Sequence, residues 1–317
     1  MMRRLLGART SLGRAVVAVL GALVLLAGPA WLRAGEAPSA NVGTPTAIEI
    51  EPASFTLLGA RAELQPLVTG RYQGDQLRDL THAVAFTSSH PEIATVEGTI
   101  VRPVANGTAT ITATITATIG TVTATSEITV TGMDQPSPVS FKNQTLAALT
   151  KAGCNAGACH GSPSGKAGFR LSLRGFDPPL DIMTLRKEFF GRRTNVMEPA
   201  ESLLLKKPLM EVAHGGGRRL HKGDAAHRVL HDWIAEGLRL DPPDAPELVG
   251  IEVFPRSRLF HEGADRQQIR VNGRFSDGSV KDLTALAVYS SSNESVGTVS
   301  ETGLVEKTGR GETAILA

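Results

Sequence analysis

Gly107-Thr-Ala-Thr-Ile-Thr-Ala-Thr-Ile-Thr-Ala-Thr-Ile-Gly120 carries an apolar residue at every second position from Ala109 to Ile119, with threonine between. A strict period of two is the signature of a β-strand with one buried face. After Gly120 the apolar parity flips, to Val122, Ala124, Ile128 and Val130. A turn at Gly120-Thr121 accounts for the flip, because two joined strands must aim their apolar faces at one core. The stretch therefore predicts a β-hairpin inside an all-β unit.

Working outward from the hairpin, its surroundings recur further along the chain. Ala47-Ile-Glu-Ile-Glu-Pro52 returns as Gly250-Ile-Glu-Val-Phe-Pro255, and Gly70-Arg-Tyr72 returns as Gly273-Arg-Phe275, both at an offset of 203 residues. Asp79-Leu-Thr81 matches Asp282-Leu-Thr284, Phe86-Thr-Ser-Ser89 matches Tyr289-Ser-Ser-Ser292, and Thr95-Val96 falls on Thr298-Val299 in the same register. One inserted residue later, Gly107 aligns with Gly311 and Ile111 with Ile315. So long a match marks one domain type used twice, over 45–132 and 248–317. Each copy consists of short alternating runs separated by Gly, Asn, Pro and Ser, the pattern of an antiparallel sandwich.

The "Asp-Leu-Thr", "Ser-Ser" and "Thr-Val" stations and the closing strand, Gly107-Thr-Ala-Thr-Ile111 in the first copy and Gly311-Glu-Thr-Ala-Ile315 in the second, resemble the bacterial group 2 immunoglobulin-like domain of exported proteins. That resemblance implies a spacer or adhesive module and names no ligand. The second copy reaches Ala317 in the strand that the first follows with a further run from Thr114 to Thr131. The favoured expectation is further domains beyond Ala317, since an unpaired edge invites aggregation. Edge addition of a strand from another chain is the alternative.

At 317 residues the chain is long enough for two or three domains. A net charge of +2 gives no footing for a nucleic-acid partner, and two cysteines exclude a disulfide-rich scaffold. Arg3, Arg4, Arg9 and Arg14 precede an apolar run from Ala15 to Ala27 and then Gly28-Pro-Ala30. This order predicts a secretory signal or N-terminal anchor over 1–34, and with it a periplasmic or cell-surface location in association with the cell envelope.

Gly132–Pro138 and Leu240–Pro246 read as linkers, which sets 139–239 apart as a separate module. From 133 to 240 there are 16 Lys or Arg against 10 Asp or Glu, whereas 45–132 and 241–317 are each net acidic by four. A local excess of six cations suits anionic groups or an acidic partner, and it also suits a solvated surface. The pattern predicts a helix from Phe141 to Lys151 stopping at Gly153, a brief strand through Phe169, Leu171 and Leu173, and a helix capped by Asp181 running through Phe189 to Gly191. Pro199 opens a short helix over Ser202 to Lys206. A last helix begins at an Asp224 cap, carries Ala226, Val229, Leu230, Trp233 and Ile234 in one stripe, and closes at Gly237.

Between the first of these helices and the brief strand stands Cys154-Asn-Ala-Gly-Ala-Cys159-His160. Two thiols followed at once by an imidazole is the order of a covalently attached haem, in which Cys154 and Cys159 bond the porphyrin and His160 ligates the iron. The usual gap between the thiols is two residues, which puts both on one helix face; residues five apart diverge by about 140 degrees. The pair must therefore lie on a loop, which Gly153 and Gly157 favour. A local disulfide is the rival use of the two thiols. A metal site is a third, lacking an obvious fourth ligand.

The stretches "Gly-Cys-Asn-Ala-Gly-Ala-Cys-His-Gly", "Gly-Phe-Arg-Leu-Ser-Leu-Arg-Gly-Phe-Asp", "Glu-Ser-Leu-Leu-Leu-Lys-Lys-Pro" and "His-Gly-Gly-Gly" resemble the cytochrome c-like module of planctomycete-type exported proteins, where it sits beside group 2 immunoglobulin-like domains. The resemblance implies two all-β sandwiches flanking a small, mainly α, cytochrome c-like module with covalent haem c. It also implies a sixth iron ligand in the loop before the last helix, where His214 stands, with Met197 and Met210 as alternatives. His221, His227 and His231 read as surface residues, and His82, His90 and His261 lie in the repeats. No Gly-rich phosphate loop, Gly-x-Ser-x-Gly elbow or His-Glu-x-x-His is present, so electron transfer is expected ahead of catalysis.

Overall fold

Alternating, threonine-rich runs build strands at both ends of the described chain, and helix-forming runs fill its middle. The computed structural model describes residues 43–117 and 120–317; the predicted export signal over 1–34 lies outside the described residues. Among the described residues no helix is long and apolar enough to cross a membrane.

Among the described residues the first repeat holds nine strands: β1 (Ala47–Glu51), β2 (Ser54–Leu58), β3 (Leu67–Arg71), β4 (Leu77–Asp79), β5 (Ala85–Ser88), β6 (Ala94–Glu97), β7 (Ile100–Pro103), β8 (Gly107–Ala117) and β9 (Gly120–Thr131). One sheet runs β1-β3-β4 and a second β2-β9-β8-β5, with β2 parallel to β9 and the other pairs antiparallel. β6 and β7 form a separate hairpin. The β8–β9 ladder extends from Gly107 opposite Val130 to Ala117 opposite Gly120. Gly120 and Thr121 are thus paired strand residues, opposite Ala117 and Thr116, and not the turn that the parity flip predicted.

The parity flip serves the core as expected. Ala109, Ile111, Ala113 and Ile115 on β8 and Ile128 and Val130 on β9 are all buried. Ala109 and Ile111 join Leu57, Leu64 and Val101 in one cluster, while Ala113 and Ile115 join Ile48, Ile50, Val68 and Leu80 in another.

In the middle, a π-helical turn over Phe141–Thr145, capped by the Ser140 hydroxyl, leads into α1 (Leu146–Lys151). α2 spans Pro178–Arg186, capped by Asp177 and not by Asp181. Asp181 lies inside the helix and is buried, accepting hydrogen bonds from the Ser172 N–H and hydroxyl, both at 2.6 Å. That contact also removes the expected strand through 169–173, because burying Ser172 beside Asp181 breaks the alternation and leaves Leu173 53% exposed. α2 ends before Phe189, and a 3₁₀ turn carries the chain to Gly191. α3 (Leu203–Lys206) follows a 3₁₀ turn opened by Pro199. α4 (Ala225–Ala235) starts as predicted, with the Asp224 carboxylate accepting from the His227 N–H at 2.6 Å. Its Trp233 is fully buried against Phe141, ring centres 5.4 Å apart, and donates through Nε1 to the Arg239 carbonyl at 2.9 Å.

The second repeat holds β10 (Leu248–Phe254), β11 (Arg266–Gln268), β12 (Arg270–Phe275), β13 (Val280–Asp282), β14 (Ser290–Ser291), β15 (Gly297–Val299), β16 (Leu304–Lys307) and β17 (Ile315–Leu316). The order β10-β12-β13 reproduces β1-β3-β4 in register: Ile48 faces Gly70 as Ile251 faces Gly273, and Thr69 faces Asp79 as Asn272 faces Asp282. Ser88 opposite Ile111 recurs as Ser291 opposite Ile315. Val96 pairs with Val101 and Val299 with Val305, which locates the inserted residue in the turn between β15 and β16.

The repeats are not separate beads on either side of the helices. Hydrogen bonds join them directly, and Arg61 of the first repeat pairs with Asp232 and Glu236 of α4, while Lys151 of α1 reaches the Ala287 and Glu301 carbonyls of the second.

Candidate functional site

Helix α1 ends in a geometry that fixes the first cysteine. Gly153, at φ +70°, takes the left-handed conformation after the cap. Its N–H donates to the Thr150 carbonyl and the Cys154 N–H to the Leu149 carbonyl, both at 2.9 Å, the paired bonds of a Schellman stop. Turns follow through the cysteine segment, so the two thiols do lie on a loop. The loop closes where the His160 N–H donates to the Cys154 carbonyl at 3.0 Å and the His160 carbonyl accepts from the Leu171 N–H at 2.8 Å. Gly161 is required beside it: a Cβ there would stand 2.0 Å from the Asn155 carbonyl oxygen.

Both cysteines are half-buried and neither is bonded to the other. Burial, reinforced by the neighbouring Cys159, pushes the Cys154 thiol up to about 12, against the pull of Arg219. It stays protonated at neutral pH, unlike an activated nucleophile. Burial likewise holds the His160 imidazole below the usual histidine range, so its ring is neutral there.

The structure brings His160 and His214 together. Their rings are within 16° of parallel, with centres 6.4 Å apart. His160 Nδ1 is 3.0 Å from the Phe169 carbonyl and His214 Nδ1 is 2.8 Å from the Gly217 carbonyl. A carbonyl only accepts, so each Nδ1 carries a proton and donates it. This is the arrangement of a metal-ligating histidine, whose second nitrogen is anchored by a backbone oxygen. Among the described residues no group of three or more His, Cys, Asp or Glu is gathered for a metal ion, so the pair has no protein carboxylate or thiolate completing it. Met197 is 86% exposed and Met210 43%. His227 and His231 face each other on α4, ring centres 6.1 Å apart, away from the cysteine loop in sequence.

Residues that sequence reasoning passed over hold the pair in place. Phe169 supplies the carbonyl for His160 and lays its ring against the imidazole, centres 4.4 Å apart. Arg193, nearly buried, stacks on both Phe169 and Phe189, and its Nη2 donates to the Gly168 carbonyl at 2.7 Å. Gly216 lets the chain cross the His214 ring, since a Cβ there would come 2.9 Å from Cε1. The triple glycine was the available signal for that crossing; nothing in the sequence marked Arg193. Leu173 lies against Gly157 of the loop and Phe189 against Gly168, and both are more than half exposed.

Residues 82–132 match the bacterial Ig-like domain family. The Ig-like match covers β5 to β9, including the hairpin, and does not extend to the cysteine loop or His214. No curated protein is detectably similar to the chain.

Proposed function

We propose that the chain is an exported haem-binding protein whose helical segment, 139–239, is a cytochrome c-like electron carrier presented by Ig-like domains at 45–132 and 248–317. The observation that carries this reading is the His160–His214 pair, near-parallel imidazoles with ring centres 6.4 Å apart, each with its Nδ1 held on a backbone carbonyl. Cys154 and Cys159 would tether the porphyrin, and His160 and His214 would hold the iron. The bound group would supply a one-electron couple, with paired imidazoles favouring a lower potential than methionine ligation. The donor set and surroundings fit: the thiols share a loop with His160, and the exposed Leu173 and Phe189 beside it offer an apolar wall for a porphyrin face. The six-cation excess over residues 133–240 suits an acidic redox partner. A secretory signal over 1–34 and a periplasmic or cell-surface location belong to the same reading.

The Ig-like match favours a second reading, a structural or adhesive surface protein in which Cys154 and Cys159 close as a disulfide without cofactor. Exporting the full chain in a host with haem c maturation machinery separates the two by reduced spectra and intact mass. The first reading expects an alpha band, a covalent haem adduct, and a change from low-spin to high-spin spectrum in His214→Ala. No alpha band and no adduct, with the two thiols found oxidised to each other, would establish the second.

A further inference from the structure

The two repeats meet through the same residues used twice. Asp79 Oδ1 accepts from the Thr81 N–H at 3.0 Å and hydroxyl at 2.6 Å, and its Oδ2 accepts from the backbone N–H of Gln268 in the other repeat at 2.7 Å. Asp282 repeats the arrangement: Oδ1 accepts from the Thr284 N–H at 2.8 Å, and Oδ2 from the backbone N–H of Gln65 at 2.6 Å. Gln65 and Gln268 are themselves counterparts at the offset of 203. Their side chains act alike, Gln65 Nε2 donating to the Pro66 and Thr99 carbonyls and Gln268 Nε2 to those of Ile269 and Thr302. Behind each aspartate, the Thr81 and Thr284 hydroxyls accept from the Val68 and Val271 N–H groups, both at 2.9 Å.

A contact in which residue i of one copy meets residue j of the other, and j of the first meets i of the second, is isologous; it is what two like surfaces make about a two-fold axis. We propose that this face is a homotypic recognition surface whose partner is another repeat of the same kind, satisfied here within one chain. Closing the first repeat onto the second forms a clasp that holds the helical segment at both ends. Further bonds distinguish the two halves. Arg258 donates to the Thr69 hydroxyl at 3.3 Å and Arg270 to the Glu51 carbonyl at 2.6 Å, yet their counterparts in the first repeat are Phe55 and Leu67. Arg78 donates to the Glu262 carbonyl at 3.1 Å from the opposite side. These one-way bonds favour first repeat with second over two copies of either.

Hydrogen exchange on the full chain tests the clasp. The Gln65 and Gln268 amides should be protected in the native protein, because each donates only across the interface. Asp79→Ala should accelerate exchange at Gln268, and Asp282→Ala at Gln65, each by at least about tenfold while the β8–β9 hairpin stays protected. Free exchange of either amide in the native protein, or acceleration confined to the substituted repeat, would overturn the proposal. Where Asp79→Ala unfolds the first repeat, visible as lost hairpin protection, Asp79→Asn decides by the same readout at Gln268. This test is independent of haem.

Discussion

Ile48 and Ile251 occupy one station in two copies of a repeat, face equivalent glycines, and differ sharply in burial. Ile48 is 7% exposed and Ile251 45%. In the first repeat, Ala113 and Ile115 of β8 with Val122 and Ala124 of β9 lie over Ile48. Among the described residues of the second, Ile251 belongs to no such buried cluster. Valines one strand over, Val68 and Val271, are buried in both copies. Strand register thus follows from local sequence and backbone pairing, whereas the burial of a given side chain depends on what the chain places opposite it.

Substitutions can break or sharpen this contrast. The largest difference is expected between Ile48→Ala, which removes a buried side chain and should cost about 3 kcal/mol, and Ile251→Ala, which should cost less than about 1 kcal/mol. Segment-resolved hydrogen exchange would measure each repeat separately, and equal costs would erase the contrast. Next come the paired glycines. A Cβ at Gly70 would stand 2.5 Å from Leu80 Cδ1, and one at Gly273 would stand 2.4 Å from Leu283 Cδ1. Leu80 is fully buried and cannot swing away, so Gly70→Ala should cost about 2 kcal/mol; half-exposed Leu283 can yield, so Gly273→Ala should cost visibly less.

Smaller effects should be equal in the two copies. Thr81→Val and Thr284→Val each strip the acceptor from a buried N–H and should each cost about 1 kcal/mol by thermal or denaturant unfolding. An unequal pair would show that the shared bonds are not equivalent. The smallest effect concerns pH. Burial pushes the Asp79 and Asp282 carboxyls above the usual carboxylate range, against the Thr81, Thr284, Gln268 and Gln65 donors that pull them down. Arg258 and His82 face Asp79, and Arg270 faces Asp282. A raised folded value makes these groups most stabilising below about pH 4, with the contribution lost as pH rises through the raised value. Protection of the Gln65 and Gln268 amides, corrected for intrinsic exchange, should therefore not fall between about pH 7 and about pH 5. A drop at either amide would reverse the sign.

Much of the fold was legible from short-range pattern. The alternation from Ala109 onward predicted the hairpin, the offset of 203 predicted matching strands, and Asp224 and Gly153 marked helix ends that the structure retains. The errors share a cause. Asp181 was read as a cap because Asp is a good one, but a long-range bond to Ser172 places it inside a helix that Asp177 caps. The strand through Leu171 failed by the same contact. At the candidate site, the thiols, His160 and His214 were visible as residue types. Phe169 and Arg193, which hold His160 through a carbonyl and a stacked guanidinium, carried no local signature.

By itself the sequence determined periodicity, caps, the repeat and the placing of two thiols and a histidine on a glycine-rich loop, because each depends on neighbours within a few residues. Only the tertiary structure decided that His214 stands across from His160, that Asp79 and Asp282 bind each other's repeat, and that Ile48 is covered while Ile251 is not. These are encounters between segments far apart in the chain, and close packing selects such partners by shape and hydrogen bonding that no local pattern records.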